Sequence, residues 1–505
     1  MIPAPGPCGP GPCEPEAATA GPGTLEPATP EPATTGTATP GPAALLRIAD
    51  PRGQLVLLTT VLGSGVAFLD STIVNVALPT IGRDLGADMA GLQWVISAYA
   101  LTLAALILLG GSLGDRFGRR RTYIWGVAGF GVVSMLSALS PNIATLVGAR
   151  ALQGAAAALL TPGSLAILQS SFRPADRMRA IGAWTGALSI AAASGPLLGG
   201  WLVGYDWRWA FWVNVPLCAV VIVLAVRYVP ESRNPAASKH IDVPGVLFGA
   251  LGLAGVTYAL TAWPEHGLDA LTLAAGAAGA TGLVAFILVE RRSPDPMMPT
   301  SLFASRSFSV INAVTFAVYA GLSGTFLFLV LFLQVVSGWT PLQAGAAALP
   351  LSVVMLLLAG RFGALAGRIG ARPLLIAGPL TAATGLAVMS LAPEHPSYVL
   401  HVLPGVTILG LGLAMTVAPL TGTVLAAAPD ELAGTASGVN NAVARTAGLM
   451  AVAALPAIVG LSGSEYADPA SLAPAYRTAL LICATAMAAG AALAALGLKE
   501  SKPVH

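Results

Sequence analysis

From Leu55 to Leu498 the chain runs in apolar stretches of about twenty residues, each ended by a short break rich in charge, Pro or Gly. The pattern predicts helices near 55–79, 91–111, 121–140, 143–168, 180–204, 209–229 and 243–262. It continues with helices near 268–289, 308–336, 342–366, 372–392, 399–427, 433–461 and 476–498, fourteen in all. The short segments of alternating polarity that mark a membrane β-barrel do not occur. Residues 1–44 break the pattern, being dominated by Pro, Ala, Gly and Thr with almost no large apolar side chain. Such a segment cannot bury enough surface to offset its ordering entropy, so it reads as a disordered leader. It has neither the basic start nor the apolar core of a signal peptide, which leaves the first helix as the expected insertion signal.

Composition agrees with this picture. The 505 residues are 55% hydrophobic and 10% charged, with mean hydropathy +0.77. Soluble domains carry about 25% charged residues, so no water-soluble core accounts for this chain and the bilayer is its solvent. The four cysteines, Cys8, Cys13, Cys218 and Cys483, show neither metal-ligand spacing nor a disulfide framework. No cofactor or metal is expected, and nothing suggests a nucleic-acid partner.

Net charge is only +2, but its placement sets the topology. Assigning alternate breaks to alternate sides puts twenty of the 25 basic residues on the side of the amino terminus. Only Arg83, Arg208 and Arg477 fall opposite, and Arg150 and Arg445 lie within helices. By the positive-inside bias both termini are cytoplasmic. The opposite side carries Asp84, Asp88, Asp206 and Glu265 together with Trp201, Trp207, Trp209 and Trp212, which read as an interfacial aromatic belt.

The break after helix two reads Gly111-Ser-Leu-Gly-Asp115-Arg116-Phe-Gly118-Arg119-Arg120-Arg121. A weaker copy, Gly363-Ala-Leu-Ala-Gly367-Arg368-Ile-Gly370-Ala-Arg372, follows helix ten and replaces the acid with Gly367. Matching loops in two halves suit a transporter whose repeats rock around a central site. Three further stretches stand out: Leu69-Asp70-Ser-Thr72-Ile-Val-Asn75-Val-Ala-Leu-Pro79, Arg150-Ala-Leu-Gln153-Gly154, and Ser194-Gly195-Pro196-Leu-Leu-Gly199-Gly200. In order and placement these resemble the signatures of the major facilitator superfamily, and the helix-one stretch looks like the hallmark of its fourteen-helix drug:proton antiporter branch. Gln93-Trp94 with Tyr99, and Trp207-Arg208-Trp209 leading to Asn214-Val-Pro216, also fit that branch.

The resemblance implies an all-α polytopic membrane protein with two six-helix bundles, 55–229 and 308–498, joined by two extra helices over 243–289. It implies a proton-relay role for Arg150, a loop at 111–121 that stabilises one conformation, and a helix-five element associated with antiport. It further implies a monomer that exchanges protons for a small lipophilic substrate.

The residues themselves support parts of this. Asp70 is the one carboxylate placed well inside a predicted helix, about 23 Å from its cytoplasmic edge. A charge there is costly, by about 2.5–3.5 kcal/mol on insertion scales, whereas a group that is neutral when protonated and anionic otherwise can carry a proton. A structural carboxylate bonded to a neighbouring helix is the plainer alternative. Arg150, always ionised, needs an anion, carbonyl or water and is a natural partner for Asp70, although a snorkelling residue would look the same. Asp115 with Arg116, Arg119 and Arg120 can form a charge latch, or simply set topology, and Gly111 and Gly118 permit the tight backbone it needs. Gly195, Pro196, Gly199 and Gly200 remove bulk from helix five, as ordinary helix packing also does. Asn75, Gln93, Tyr99, Asn312, Gln334 and Arg445 are polar groups that could line a cavity or bond helix to helix.

Helix twelve has no carboxylate before Asp430, so neutral, weakly acidic or monovalent substrates are expected over divalent cations. The sequence contains no phosphate-binding loop, nucleophile elbow or His/Asp/Glu metal cluster, which argues against an ATP-driven pump or an enzyme. The leading expectation is a proton-coupled exporter. A transporter of another cargo, such as a lipid, siderophore, amino acid or monovalent cation, is equally compatible with the scaffold.

Overall fold

The computed structural model describes residues 45–233, 242–293, 296–429 and 432–498. The leader expected to be disordered lies outside these residues, as do Lys239, Asp430, Lys499 and Lys502.

The described residues form fourteen long helical segments. They are α1 (Pro51–Leu85), α2 (Met89–Phe117), α3 (Arg119–Ala138), α4 (Ile143–Ser171), α5 (Pro174–Val203), α6 (Trp209–Tyr228) and α7 (Val243–His266). The series continues with α8 (Ala270–Arg292), α9 (Arg306–Val336), α10 (Pro341–Ile369), α11 (Ala371–Ser390), α12 (Tyr398–Ala426), α13 (Ala433–Ile458) and α14 (Pro469–Gly497). Twelve of these are long and apolar enough to cross a membrane by length and composition, which is two fewer than the sequence reading counted. The other two are α3, which opens on Arg119-Arg120-Arg121 and carries Thr122, Tyr123, Ser134 and Ser137, and α5, whose first turns hold Asp176, Arg177 and Arg179.

Helix ends run past the expected limits because charged and polar residues prolong a helix into the interface. Thus α1 reaches Leu85 through Arg83 and Asp84, and α14 begins at Pro469. Local chemistry sets the breaks. Asp88 Oδ1 accepts from Gly91 N at 2.7 Å and Asn142 Oδ1 from Thr145 N at 2.9 Å, capping α2 and α4. The repeated loops use the same backbone device. Gly118 between α2 and α3 has φ 108°, and Gly370 between α10 and α11 has φ 86°, a region that L side chains avoid.

Helices α1 to α6 pack among themselves, and so do α9 to α14. Small residues allow the closest approaches: a Cβ on Gly154 of α4 would lie 2.2 Å from the Tyr99 carbonyl of α2. The two groups meet along α2–α13 and α5–α10. Helix α8 lies against α7, and α7 lies across the α2–α13 seam, touching both groups. The Trp94 and Tyr258 rings stand 6.5 Å apart there, and Gly463 N donates to Glu265 Oε1 at 3.3 Å. Large apolar side chains such as Val223, Leu271, Leu357 and Leu496 face outward, which suits a hydrocarbon solvent.

Two expectations are corrected. Trp207 leaves the aromatic belt: it is buried, and its Nε1 donates to Asp84 Oδ2 at 2.7 Å, whereas Trp201 and Trp209 are exposed. The eighth helix, expected to end at 289, runs to Arg292 and takes in Glu290, a buried carboxylate in its last turn that accepts from Met298 N at 2.9 Å.

Candidate functional site

The site is a sealed polar knot inside an apolar bundle. Asp70 sits on α1 with no exposed surface, and Arg150 on α4 is 2% exposed. Arg150 Nη1 donates to Asp70 Oδ2 at 2.5 Å. The second carboxylate oxygen, Oδ1, accepts from Gln153 Nε2 and from Asn214 Nδ2, each at 2.9 Å. Gln153 lies one helical turn from Arg150, so both side chains leave the same face of α4. Its Oε1 accepts from Arg150 Nη1 at 2.5 Å, and its Nε2 also donates to Ser134 Oγ of α3 at 2.8 Å. Arg150 Nε donates to the Val95 carbonyl of α2 at 3.1 Å.

The guanidinium carbon stands 4.3 Å from the centre of the Tyr99 ring and 5.9 Å from that of Phe211, so aromatic faces complete its cage. Five helices, α1, α2, α3, α4 and α6, therefore contribute to one charge pair. Both carboxylate oxygens are hydrogen-bonded, which is the condition for keeping a carboxylate ionised out of water. Withdrawal of the guanidinium would leave a buried anion that a proton could neutralise. Sequence reasoning pointed to Asp70 and Arg150. It quoted Gln153 and Asn214 within motifs without giving them a role, and it passed over Ser134 and Phe211.

The 111–121 loop makes a second cluster. Arg119 pairs with Asp115 at 2.8 Å and also donates to the Ala166 carbonyl of α4 at 3.3 Å. Arg120 turns to Glu231, which follows α6: its backbone N donates to Glu231 Oε1 at 3.1 Å, and its Nη1 donates to the Val229 carbonyl at 3.2 Å. Gly118 belongs to the same contact, since a Cβ there would lie 2.6 Å from Glu231 Oε1. Arg116 stacks at 5.2 Å on the neighbouring Phe117 ring, and Gly111 faces Pro162. Glu231, unmarked in the sequence, is thus the acid that fastens α6 to this loop.

The glycines of α5 have two partners. A Cβ on Gly195 would lie 1.9 Å from Thr72 Oγ1 and one on Gly199 would lie 2.9 Å from Ile73 Cα, so this face docks on α1. Gly200 meets α10, where its Cβ would lie 2.5 Å from Leu342 Cα, and Gly345 of α10 in turn fits the Pro196 carbonyl. The stretch joins the two helix groups as well as packing its own.

The remaining polar candidates divide. Gln93 Nε2 donates to the Val452 and Ala453 carbonyls of α13 at 2.9 and 3.1 Å, and Gln334 Nε2 donates to the Val76 carbonyl at 2.9 Å. Both are bonds between the groups. Asn312 Oδ1 and Thr315 Oγ1 accept from Asn440 Nδ2 at 3.0 and 2.7 Å, a neutral cluster between α9 and α13. Asn75 is half-buried, and its side chain makes no hydrogen bond among the described residues. Arg445 is half-buried, with its guanidinium 5.6 Å from the Phe68 ring.

Comparison with known proteins places this geometry. A sequence profile described as Major Facilitator Superfamily matches residues 60–452. The chain is 38% identical to the puromycin resistance protein of Streptomyces alboniger over 83% of its own length and 84% of that protein's. It is 39% identical to the multidrug resistance protein Stp of Mycobacterium tuberculosis (77% and 72% covered), and 34% identical to the tetracenomycin C resistance and export protein of Streptomyces glaucescens (79% and 74%). Among solved structures, a POT family transporter superposes with TM-score 0.64 at 15% identity, covering 88% of this chain and 97% of that one. A bacterial homologue of the lysosomal transporter Spinster superposes with TM-score 0.62 at 17% identity, covering 89% and 97%. The structural likeness gives the helical architecture, the sequence matches give the lineage, and together they establish that the chain belongs to the Major Facilitator Superfamily.

Proposed function

We propose that this chain is a proton-coupled antiporter that exports small lipophilic molecules, of the drug, antibiotic or secondary-metabolite kind, across the cytoplasmic membrane by alternating access. Relatives named for puromycin, tetracenomycin C and multidrug resistance support the cargo class. The observation that carries proton coupling is the sealed Asp70–Arg150 pair. In the cycle, a rearrangement of α1 against α4 separates the guanidinium from Asp70. A proton then binds the carboxylate, and its later release restores the ion pair. Gln153 and Asn214 hold the carboxylate in place through both states, and Ser134 holds Gln153.

The contacts between the groups support an arrangement closed on the outer side. Gly200 with Leu342, Gln334 with Val76, Gln93 with Val452, and the Tyr466 hydroxyl donating to the Ala87 carbonyl at 2.7 Å all lie toward the outer ends of their helices. Toward the cytoplasm, a Cβ on Gly182 of α5 or Gly360 of α10 would meet nothing within 4 Å. In this reading α3 and α5 also cross the membrane, giving fourteen spans with both termini inside. The groups 55–229 and 308–498 rock as units, the protein works as a monomer, and the 111–121 loop fastens the first unit at its cytoplasmic edge.

Dye efflux driven by a pH gradient in inverted vesicles tests the reading. Activity present in the native chain and lost in a correctly inserted Asp70→Asn variant supports it. Equal activity in both removes Asp70 as the proton site.

A further inference from the structure

Arg445 is a cation that the proton site does not use. It lies near the middle of α13, and among the described residues its side chain makes no hydrogen bond and no ion pair. What surrounds it is aromatic: Phe68 of α1 lies under the guanidinium, and Tyr99 of α2 and Tyr319 of α9 lie within electrostatic range of its charge. These residues come from both helix groups and from the middle portions of their helices, the depth at which transporters of this architecture hold cargo. Asp70 is fully engaged by Arg150, Gln153 and Asn214 and has no lone carboxylate edge left for a second arginine. Arg445 is only half-buried, and its guanidinium stands 5.6 Å from the centre of the Phe68 ring.

An embedded arginine needs an anion, carbonyl or water partner. Its planar fork matches the two oxygens of a carboxylate, and the partly exposed rings of Phe68 and Tyr319 can meet an apolar body. We propose that Arg445, with Phe68 and Tyr319, forms the recognition site for the cargo, and that the cargo is an aromatic organic anion whose carboxylate or phenolate seats on the Arg445 guanidinium. The site rests on the reading of the space between the helix groups as the transport path. With Asp70 and Arg150 cancelling each other, Arg445 leaves the centre net positive, and protonation of Asp70 adds a second uncompensated charge. Cargo binding and proton binding are thereby linked through one electrostatic field.

The test uses the full-length chain in lipid nanodiscs and scintillation-proximity binding of labelled 1-naphthoate, 9-anthroate and 1-pyrenecarboxylate. Each is compared with its own primary amide and methylammonium counterpart. The expected result is that at least one carboxylate binds about ten-fold or more tightly than its amide and its ammonium analogue. Arg445→Gln should erase that advantage while leaving amide binding in place, and Arg445→Lys should recover part of it, because charge returns without the fork. Equal binding of carboxylate, amide and ammonium across the series overturns the proposal, as does an advantage that survives Arg445→Gln. Should the Gln variant fail to insert, the ligand comparison in the native chain decides alone. Binding is read without a pH gradient, so carboxylate preference beside failed pH-driven efflux would sink the coupling reading and leave this site standing.

Discussion

The two helix groups share a scaffold and differ in the chemistry of their inner polar clusters. In the first group α1 and α4 carry a buried acid and a buried base, and three neighbouring helices supply Ser134, Asn214 and the Val95 carbonyl to satisfy them. In the second, α9 and α13 carry Asn312, Thr315 and Asn440, which bond one another without any formal charge. Two members of the neutral cluster can lose their shared partner Asn440 and keep a local one: Asn312 Nδ2 also donates to the Phe308 carbonyl, and Thr315 Oγ1 to that of Ile311. In the charged cluster Ser134 Oγ keeps such a bond, to the Phe130 carbonyl at 2.7 Å, whereas the Asp70 carboxylate is held by Arg150, Gln153 and Asn214 of other helices. Duplicated architecture therefore does not imply duplicated chemistry. One half holds a buried cluster that contains a titratable group, and the other holds one that contains none.

The sharpest way to break this contrast is substitution at the two clusters. Asp70→Asn should lower pH-driven efflux by about 100-fold or more, since no proton can be exchanged there, and removing the acid strands Arg150 at a cost of about 3–5 kcal/mol. Pairing it with Arg150→Met should restore thermal stability without restoring coupled efflux. Asn440→Ala should reduce efflux only about 2–3-fold and cost about 1 kcal/mol. Equal losses from Asp70→Asn and Asn440→Ala would end the asymmetry.

Next in size is the seam that joins the groups. Gly200→Leu places a branched side chain where Leu342 Cα already stands, so outer closure should fail. Efflux should fall about ten-fold, by loss of an interaction made in only one state of the cycle. External maleimide labelling of a Ser194→Cys reporter in a cysteine-free background should rise at the same time. Unchanged labelling would remove Gly200 from the closure.

The repeated loops give a smaller difference. Gly118→Ala and Gly370→Ala each force an L residue into positive φ, at about 1–2 kcal/mol. Gly118→Ala must also displace Glu231, so its drop in melting temperature should be the larger of the two. The smallest effect belongs to the exposed cap of α14. Hydrogen bonds from Ser471 and Ala470 hold the Asp468 carboxyl below its usual range, so its contribution is complete above that range and is lost as pH falls through it. Asp468→Ala should lower the melting temperature near pH 7, and the difference from the native chain should shrink as the pH is taken down through the acid range.

Much of this molecule can be read from its sequence because a bilayer punishes charge so heavily. Asp70 and Arg150 stand out as ionisable residues inside apolar runs, and one plausible economy is for them to meet, as they do. The helix order and the paired Gly118 and Gly370 turns are visible for the same kind of reason: apolar length and positive φ are strict local demands. What stays hidden is supplied by small polar groups. Ser134 and Asn214 are ordinary in a membrane helix, and only the crossing of α3 and α6 at the depth of Asp70 gives them a task. Glu231 follows a helix end and looks like surface charge until the 111–121 loop folds onto it. Gln93 and Gln334 are compatible with cavity and seam alike from spacing, and the contacts choose the seam. Helices α3 and α5 are the least apolar of the series, α3 because it buries Thr122, Tyr123, Ser134 and Ser137 and α5 because its first turns hold Asp176, Arg177 and Arg179.

The position of α7 carries a last consequence, for how a greasy compound reaches the protein. Two gaps divide the helix groups, and α7, backed by α8, covers the one formed by α2 and α13. No described helix covers the α5–α10 gap in the same way. In the proposed cycle, a solute arriving from lipid would meet the α5–α10 side uncovered and the α2–α13 side covered. The added helix pair would make such access one-sided.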